Sequence, residues 1–437
     1  MLTQARRSVV FFALAAGVVE LALLAAWQRN GYWETSDGVY AETARVLLHG
    51  RHLYSDVAAA QPPPVYLFGA LLLGIHDGLA SLRVGLALVE LFTGALVALS
   101  VWRVSSRGGV AVAAGALVPL LPIALHEHAQ LLPETLAAGL LMGGAVWCSR
   151  SERAVAGGAL LSCAAACKLA FALPALVIAL ACVARRRARV GLAVAGAVLI
   201  GATLAVFGTA VWREAVRAQL QVGNASVHDV AGMLTQAAWN ELPLVAGAAA
   251  ALLFARQARD RELLRTLVAG AGAGLVLGLT LFKRGSYVDV FVVAEPPLLA
   301  LAACGAAWAW ERARSRWLVV LLGALLALQS LSILVDPGHP VIALPHSHAP
   351  AWNTRCRQPL LIKTSPRQSD APKPSPTAAL RSSRFSLIAG CPATSLTCSS
   401  SLQPQSMRHS PNAQQPTRCG VPGRTPLRFE PRFGSSA

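Results

Sequence analysis

The stretch WETSDGVYAETARVLLHGRHLYSDVAAAQPPPVY, residues 33–66, interrupts a chain otherwise dominated by long apolar runs. Ahead of it lies SVVFFALAAGVVELALLAAW (8–27), long enough to cross a bilayer as a helix, which takes about 20 mostly apolar residues. Further runs of the same kind follow. Residues 33–66 hold four acidic groups (Glu34, Asp37, Glu42, Asp56), three tyrosines, His49 and His52, and three prolines in a row. A chain that gathers polar groups between two spans places its chemistry at a membrane surface.

The composition supports this reading. Of 437 residues 55% are apolar and 14% charged, and the mean hydropathy is +0.52. Backbone groups in lipid must pair within their own segment, so the apolar runs are expected to be helices. The first run follows Arg6 and Arg7, is too long for a signal peptide and lacks a small-residue cleavage site, so it is read as a retained span. Further runs fall at 83–103, 109–125, 130–148, 154–168, 170–184, 190–211, 240–255, 264–282, 289–309 and 317–335, making about eleven spans. The expected fold is an all-α integral membrane protein with an amphipathic-helix loop after its first span.

The net charge of +17 does not indicate a nucleic-acid partner. Residues 341–437 carry 12 Lys+Arg and 2 Asp+Glu, so +10 belongs to that segment and +7 to the first 340 residues. The same segment holds 14 of the 26 prolines and lacks sustained periodicity. It is expected to be a disordered tail beyond a membrane domain of residues 1–340, and its composition fits translation out of frame. The remaining basic residues cluster in short loops: Arg103/Arg107, Arg150/Arg153, RRRAR (185–189), RQARDRELLR (256–265) and ERARSR (311–316). Threading the spans alternately from a cytoplasmic N-terminus puts all of them inside, as the positive-inside rule requires. Residues 28–82, HEHAQLLPE (126–134), the turn at Lys168, residues 212–229 and KRGSYVD (283–289) then lie outside.

Several outer residues have plain structural readings. Tyr40, Ala44, Leu47 and Leu48 recur at helical spacing, and Gly50 suits the position past a helix end. Asp37 suits the N-cap of that helix, and Glu42 with Arg45 suits a surface pair. Prolines 62–64 imply a rigid extended segment, and Asp56 a turn. Glu134 after Pro133 fits a helix N-terminus. His126 and His128 are too weakly spaced to assign a metal, so no metal ligand is named. Lys168 is a lone cation between apolar runs, either reaching for headgroups or facing an anionic ligand. Lys283 and Arg284 stand outside, against the charge trend, where binding a phosphate would explain them. Cys148, Cys163, Cys167, Cys182 and Cys304 lie in apolar runs and read as small core residues.

The order SDGVYAETARVLLHGRHLYSD…QPPPVY, then a span beginning at an arginine, resembles the first external loop of GT-C membrane glycosyltransferases. The branch it resembles is that of bacterial protein mannosyltransferases and lipid A aminoarabinose transferases. LPETLAAGLLM, CKLAFALPAL and KRGSYVDVFVVAEPPLLALAA resemble later segments in the same order, and the likeness spans about residues 8–352. It implies transfer of a sugar from a polyprenyl-phosphate donor to a glycan, lipid or protein acceptor, at the outer face of the inner membrane. It also implies Asp37 as general base, with Tyr40, Asp56, Glu134, Lys168, Lys283, Arg284 and Tyr287 as acceptor and phosphate contacts. The family often has Asp-Glu where this chain has Asp37-Gly38, which leaves a divalent-cation requirement open. The alternatives are a transporter or flippase of a lipid-linked glycan, which would share the interfacial cations, and a non-catalytic remnant.

Overall fold

The computed structural model describes residues 2–27, 35–283, 286–312 and 316–334. Arg284, the tail, and the expected boundary between residues 340 and 341 lie outside the described residues. Helix α1 (Leu2–Trp27) is followed by α2 (Thr35–Leu48) and α3 (Pro64–Ile75), then by the long α4 (Leu79–Ser105). The run 109–125 is broken into α5 (Gly108–Ala116), a 3-10 turn at Val118–Leu120 and α6 (Pro122–His126). Pro119 and Pro122 explain the break, since each removes a backbone donor and clashes with the preceding turn. Next come α7 (Pro133–Cys148), α8 (Ala154–Cys167), α9 (Ala172–Ala181) and α10 (Arg185–Phe207). A π-helical turn at Trp212–Arg217 leads into α11 (Ala218–Gln221) and α12 (Val227–Leu253). Helix α13 (Arg261–Val276) ends in a 3-10 segment, Leu277–Phe282, and a second one, Val288–Val293, precedes α14 (Glu295–Trp310) and α15 (Arg316–Leu334).

Each apolar run read from the sequence is largely helical in its described part, with turns or breaks inside several, and no strand occurs among the described residues. Among the described residues, four segments are long and apolar enough to cross a membrane by length and composition: Leu79–Ser105, Arg185–Phe207, Arg261–Phe282 and Arg316–Leu334. The chain is a multi-pass, all-α membrane protein.

Two features of the loop were anticipated and one was not. Helix α2 forms where the periodicity put it, and Gly50 just beyond takes φ +75°, a left-handed conformation that favours glycine. The prolines, however, do not make an extended spacer. Pro63 adopts φ −61°, ψ −31°, and Pro64 is the first residue of α3, where a missing N–H leaves no helical bond unmade. Pro63 and Pro64 therefore start a helix, because the first turn is the one place where their fixed φ suits it.

Close helix pairs hold the bundle. A Cβ at Gly158 of α8 would stand 2.1 Å from the Ala188 carbonyl oxygen of α10, and one at Gly305 of α14 would stand 2.2 Å from that of Gly247 in α12. Small residues let backbones approach where lipid supplies no hydrophobic drive between helices. At one end of the bundle the basic loops are laced together. Arg103 donates to Ser149 Oγ at 3.0 Å and to the Asp260 carboxylate at 2.5 Å. Arg259 donates to Ser106 Oγ at 2.9 Å, Arg187 to the Ser151 carbonyl at 3.1 Å, and Arg107 pairs with Glu311. These loops meet at one end, as alternate threading demands.

Gly305→Ala should lower the melting temperature in detergent, corresponding to about 1–3 kcal/mol, the usual cost of overpacking. Gly201→Ala, with nothing within 4 Å of the added carbon, should leave it unchanged or slightly raised.

Candidate functional site

At the other end of the bundle a buried ion pair joins three separate segments. Helix α2 begins at Thr35, so Asp37 is its third residue and not its N-cap; it lies in the first turn, where the helix dipole favours an anion. Its side chain is 0% exposed and that of Arg83, early in α4, is 1% exposed. Arg83 Nη2 donates to Asp37 Oδ2 at 2.5 Å and Nη1 to Oδ1 at 3.3 Å. Asp37 Oδ1 also accepts the Leu131 amide at 2.9 Å, while Arg83 Nη1 reaches the Ala129 carbonyl at 2.5 Å. The fork of one guanidinium thus holds both α2 and the 126–134 loop against α4. Ala129 itself takes φ +53°, a conformation costly for a non-glycine residue that the surrounding bonds hold in place.

More carboxylates fasten the same loop. Glu90 of α4 accepts the Ala129 amide at 2.9 Å and lies 2.6 Å from His128 Nδ1. Glu295, at the start of α14, accepts the Ile123 and Ala124 amides at 3.0 and 2.9 Å, capping the short α6 from outside. His126 Nδ1 lies 2.8 Å from Glu127 Oε1.

The loop delivers Pro133 and Glu134 to the first turn of α7, as the sequence suggested, but Glu134 is 1% exposed and pairs with Lys168. Lys168 stands at the break between α8 and the 3-10 turn Leu169–Phe171. Burial works against its ammonium, but the Glu134 and Asp289 carboxylates outweigh burial and hold its pKa above the ordinary lysine value. The same two carboxylates act on Tyr40 of α2, whose phenol is pushed above the ordinary tyrosine range by burial first and by Glu134 next. Tyr40 packs beside Tyr66, ring centroids 5.6 Å apart. Tyr40, Glu134, Lys168 and Asp289 therefore share one electrostatic neighbourhood, with a fixed cation among acids and a neutral phenol.

Other sequence candidates stand elsewhere. Lys283 is exposed and donates to the Gln219 carbonyl at 3.4 Å, and Gln219 in turn donates to the Ala60 carbonyl at 3.1 Å, next to Gln61. It reaches the loop that carries the tyrosines through one intermediary. Asp56 closes a turn: its carboxylate accepts the His52 amide at 2.9 Å, a bond that lowers its pKa. Tyr287 is 66% exposed. Glu42 pairs with Arg45, which also bonds Asp77 at 2.8 Å, the surface role expected of both. Sequence reasoning missed Arg83 and Asp289. Arg83 carried a usable signal, a single cation at the head of an apolar run, which needs a buried anion as partner.

Removing one side of the Asp37–Arg83 pair leaves a buried charge uncompensated, at a cost of about 3–5 kcal/mol. Asp37→Ala should lower the melting temperature in detergent sharply, more than loss of a helix cap would. The double substitution Asp37→Leu/Arg83→Met should recover most of the loss.

No protein-family model matches the sequence, and no curated protein is significantly similar to it. Solved structures do match. ArnT from Cupriavidus metallidurans bound to undecaprenyl phosphate aligns with a TM-score of 0.58 at 18% identity, over 75% of this chain and 65% of that one. The apo state of the same protein aligns with a TM-score of 0.54 at 19% identity, over 76% and 65%. The chain thus spans about two thirds of the length of the structures it matches, and over that part it shares the fold of ArnT.

Proposed function

We propose that the protein transfers a sugar from a polyprenyl-phosphate donor to an acceptor at the outer face of the cytoplasmic membrane. The observation that carries this reading is the Lys168–Glu134 pair beside Tyr40 and Asp289, in a fold shared with a protein crystallised with undecaprenyl phosphate. A polyprenyl tail stays in lipid, so its phosphate reaches only groups at the bilayer surface. Leaving-group phosphate gains charge as the bond to the anomeric carbon breaks, and a preorganised ammonium stabilises it. In this reading Lys168 performs that task, with the exposed Lys283 as a second cation. A base must also take the proton of the incoming hydroxyl.

Two carboxylates compete for the base. By family resemblance it is Asp37, and its ion pair with Arg83 is then a resting state that opens when acceptor binds. A second reading is favoured by the complete burial of Asp37, which already accepts three hydrogen bonds. In that reading Asp37 only clamps the loop, and Glu134 becomes the base once phosphate draws Lys168 away from it. The metal requirement left open by Gly38 is not needed by either reading.

The test is transfer of label from a panel of polyprenyl-phosphate sugars in membranes, with rates taken per folded molecule. Lys168→Met should abolish most transfer. Loss of a general base costs about 10²–10⁴-fold, so Asp37→Asn should show that loss if Asp37 is the base, and Glu134→Gln if Glu134 is. If no donor supports transfer by the unmodified protein, the proposal fails.

A further inference from the structure

Beneath the Asp37–Arg83 pair lie three more polar groups in the bundle interior, from three separate segments. Glu20 of α1 is 2% exposed, Glu90 of α4 7% and His128 of the loop 0%, and one ligand atom from each lies within 4.8 Å of the other two. Two carboxylates this close inside a membrane bundle repel each other and lose their water, so either a proton or a cation must relieve them. We propose that Glu20 and His128 bind a divalent cation of the zinc class, with Glu90 orienting the histidine, and that the ion fixes the 126–134 loop to α1 and α4.

Three observations carry the assignment. Neither Glu20 oxygen has a hydrogen-bond partner among the described residues, although the carboxylate is enclosed in protein. Glu20 Oε2 lies 3.7 Å from His128 Nε2, too far for a direct hydrogen bond. Two ligand bonds of about 2.0–2.2 Å to a shared ion would set their atoms about 3–4 Å apart, which matches. His128 Nδ1 meets Glu90 Oε2 at 2.6 Å, and Glu90 Oε1 is already held by the Ala129 amide. That arrangement puts the ring proton on Nδ1 and turns the Nε2 lone pair toward Glu20. A histidine whose second nitrogen donates to a carboxylate is the usual form of a zinc-binding imidazole. Imidazole and carboxylate together suit zinc among the common divalent ions.

The site is structural and independent of the transfer chemistry, so its test needs no activity assay. The full chain, purified in detergent, should contain about one zinc per molecule by elemental analysis. Chelation should lower its melting temperature and added zinc should restore it. Glu20→Gln should hold no zinc and melt independently of chelator, while Glu90→Gln should bind zinc roughly 10–100-fold more weakly. The proposal is overturned if the unmodified protein contains no metal and added zinc leaves its melting temperature unchanged, which would mean that a proton bridges the groups. It is equally overturned if Glu20→Gln keeps a full equivalent of chelator-sensitive zinc. The measurements on the unmodified protein decide the matter even if Glu20→Gln does not fold.

Discussion

A guanidinium buried in a membrane bundle has no water to pair with, so its anion must come from the protein. For Arg83 that anion is Asp37, and the pairing fixes much more than two side chains. It anchors the first helix of the loop after α1 to the head of α4. Through the Ala129 carbonyl and the Leu131 amide it also sets the path of the chain leading into α7. Glu134 follows three residues after Leu131, so the placement of its carboxylate against Lys168 depends on the same clamp. Losing the pair would therefore loosen the loop, the start of α7 and the cation beside it together.

The two ends of the bundle use charge differently. At one end arginines lace the short loops to each other and to single acids such as Asp260 and Glu311, which is connection and little more. At the other end several acids are buried. Asp37, Glu90, Glu134 and Glu295 each organise backbone amides or a cation, leaving Lys168 charged in a partly enclosed place. A partly enclosed cation at the end of helices is what a lipid-linked phosphate needs, since its tail cannot leave the bilayer.

The apolar runs, α2 and its glycine stop, the Glu42–Arg45 pair and the Pro133–Glu134 helix start were all legible in the sequence, because each rests on neighbours within a turn or two. What was not legible depends on partners far along the chain. Arg83 and Asp37 are 46 positions apart, so the sequence offered a cap or, by resemblance, a base for Asp37 and named no partner for Arg83. Residues 62–64 looked extended because proline disfavours helix before it, yet Pro63 and Pro64 open α3. His128 looked isolated beside His126, yet its partners come from α1 and α4. Of the site, the candidates Tyr40, Glu134 and Lys168 share a neighbourhood, Asp56 closes a turn, and Asp289, at the junction of the outer KRGSYVD segment and an apolar run, was passed over.

The claim at the centre of this account is that the Asp37 end of the bundle receives a lipid-linked phosphate. An experimental structure of the protein with undecaprenyl phosphate, the ligand of one structural neighbour, tests it most directly. The account predicts phosphate density at hydrogen-bond distance, about 2.7–2.9 Å, from the Lys168 ammonium, with the tail running along the lipid-facing surface. Phosphate bound instead among Arg103, Arg107 and their neighbouring loops, with Lys168 still paired only to Glu134, would contradict it.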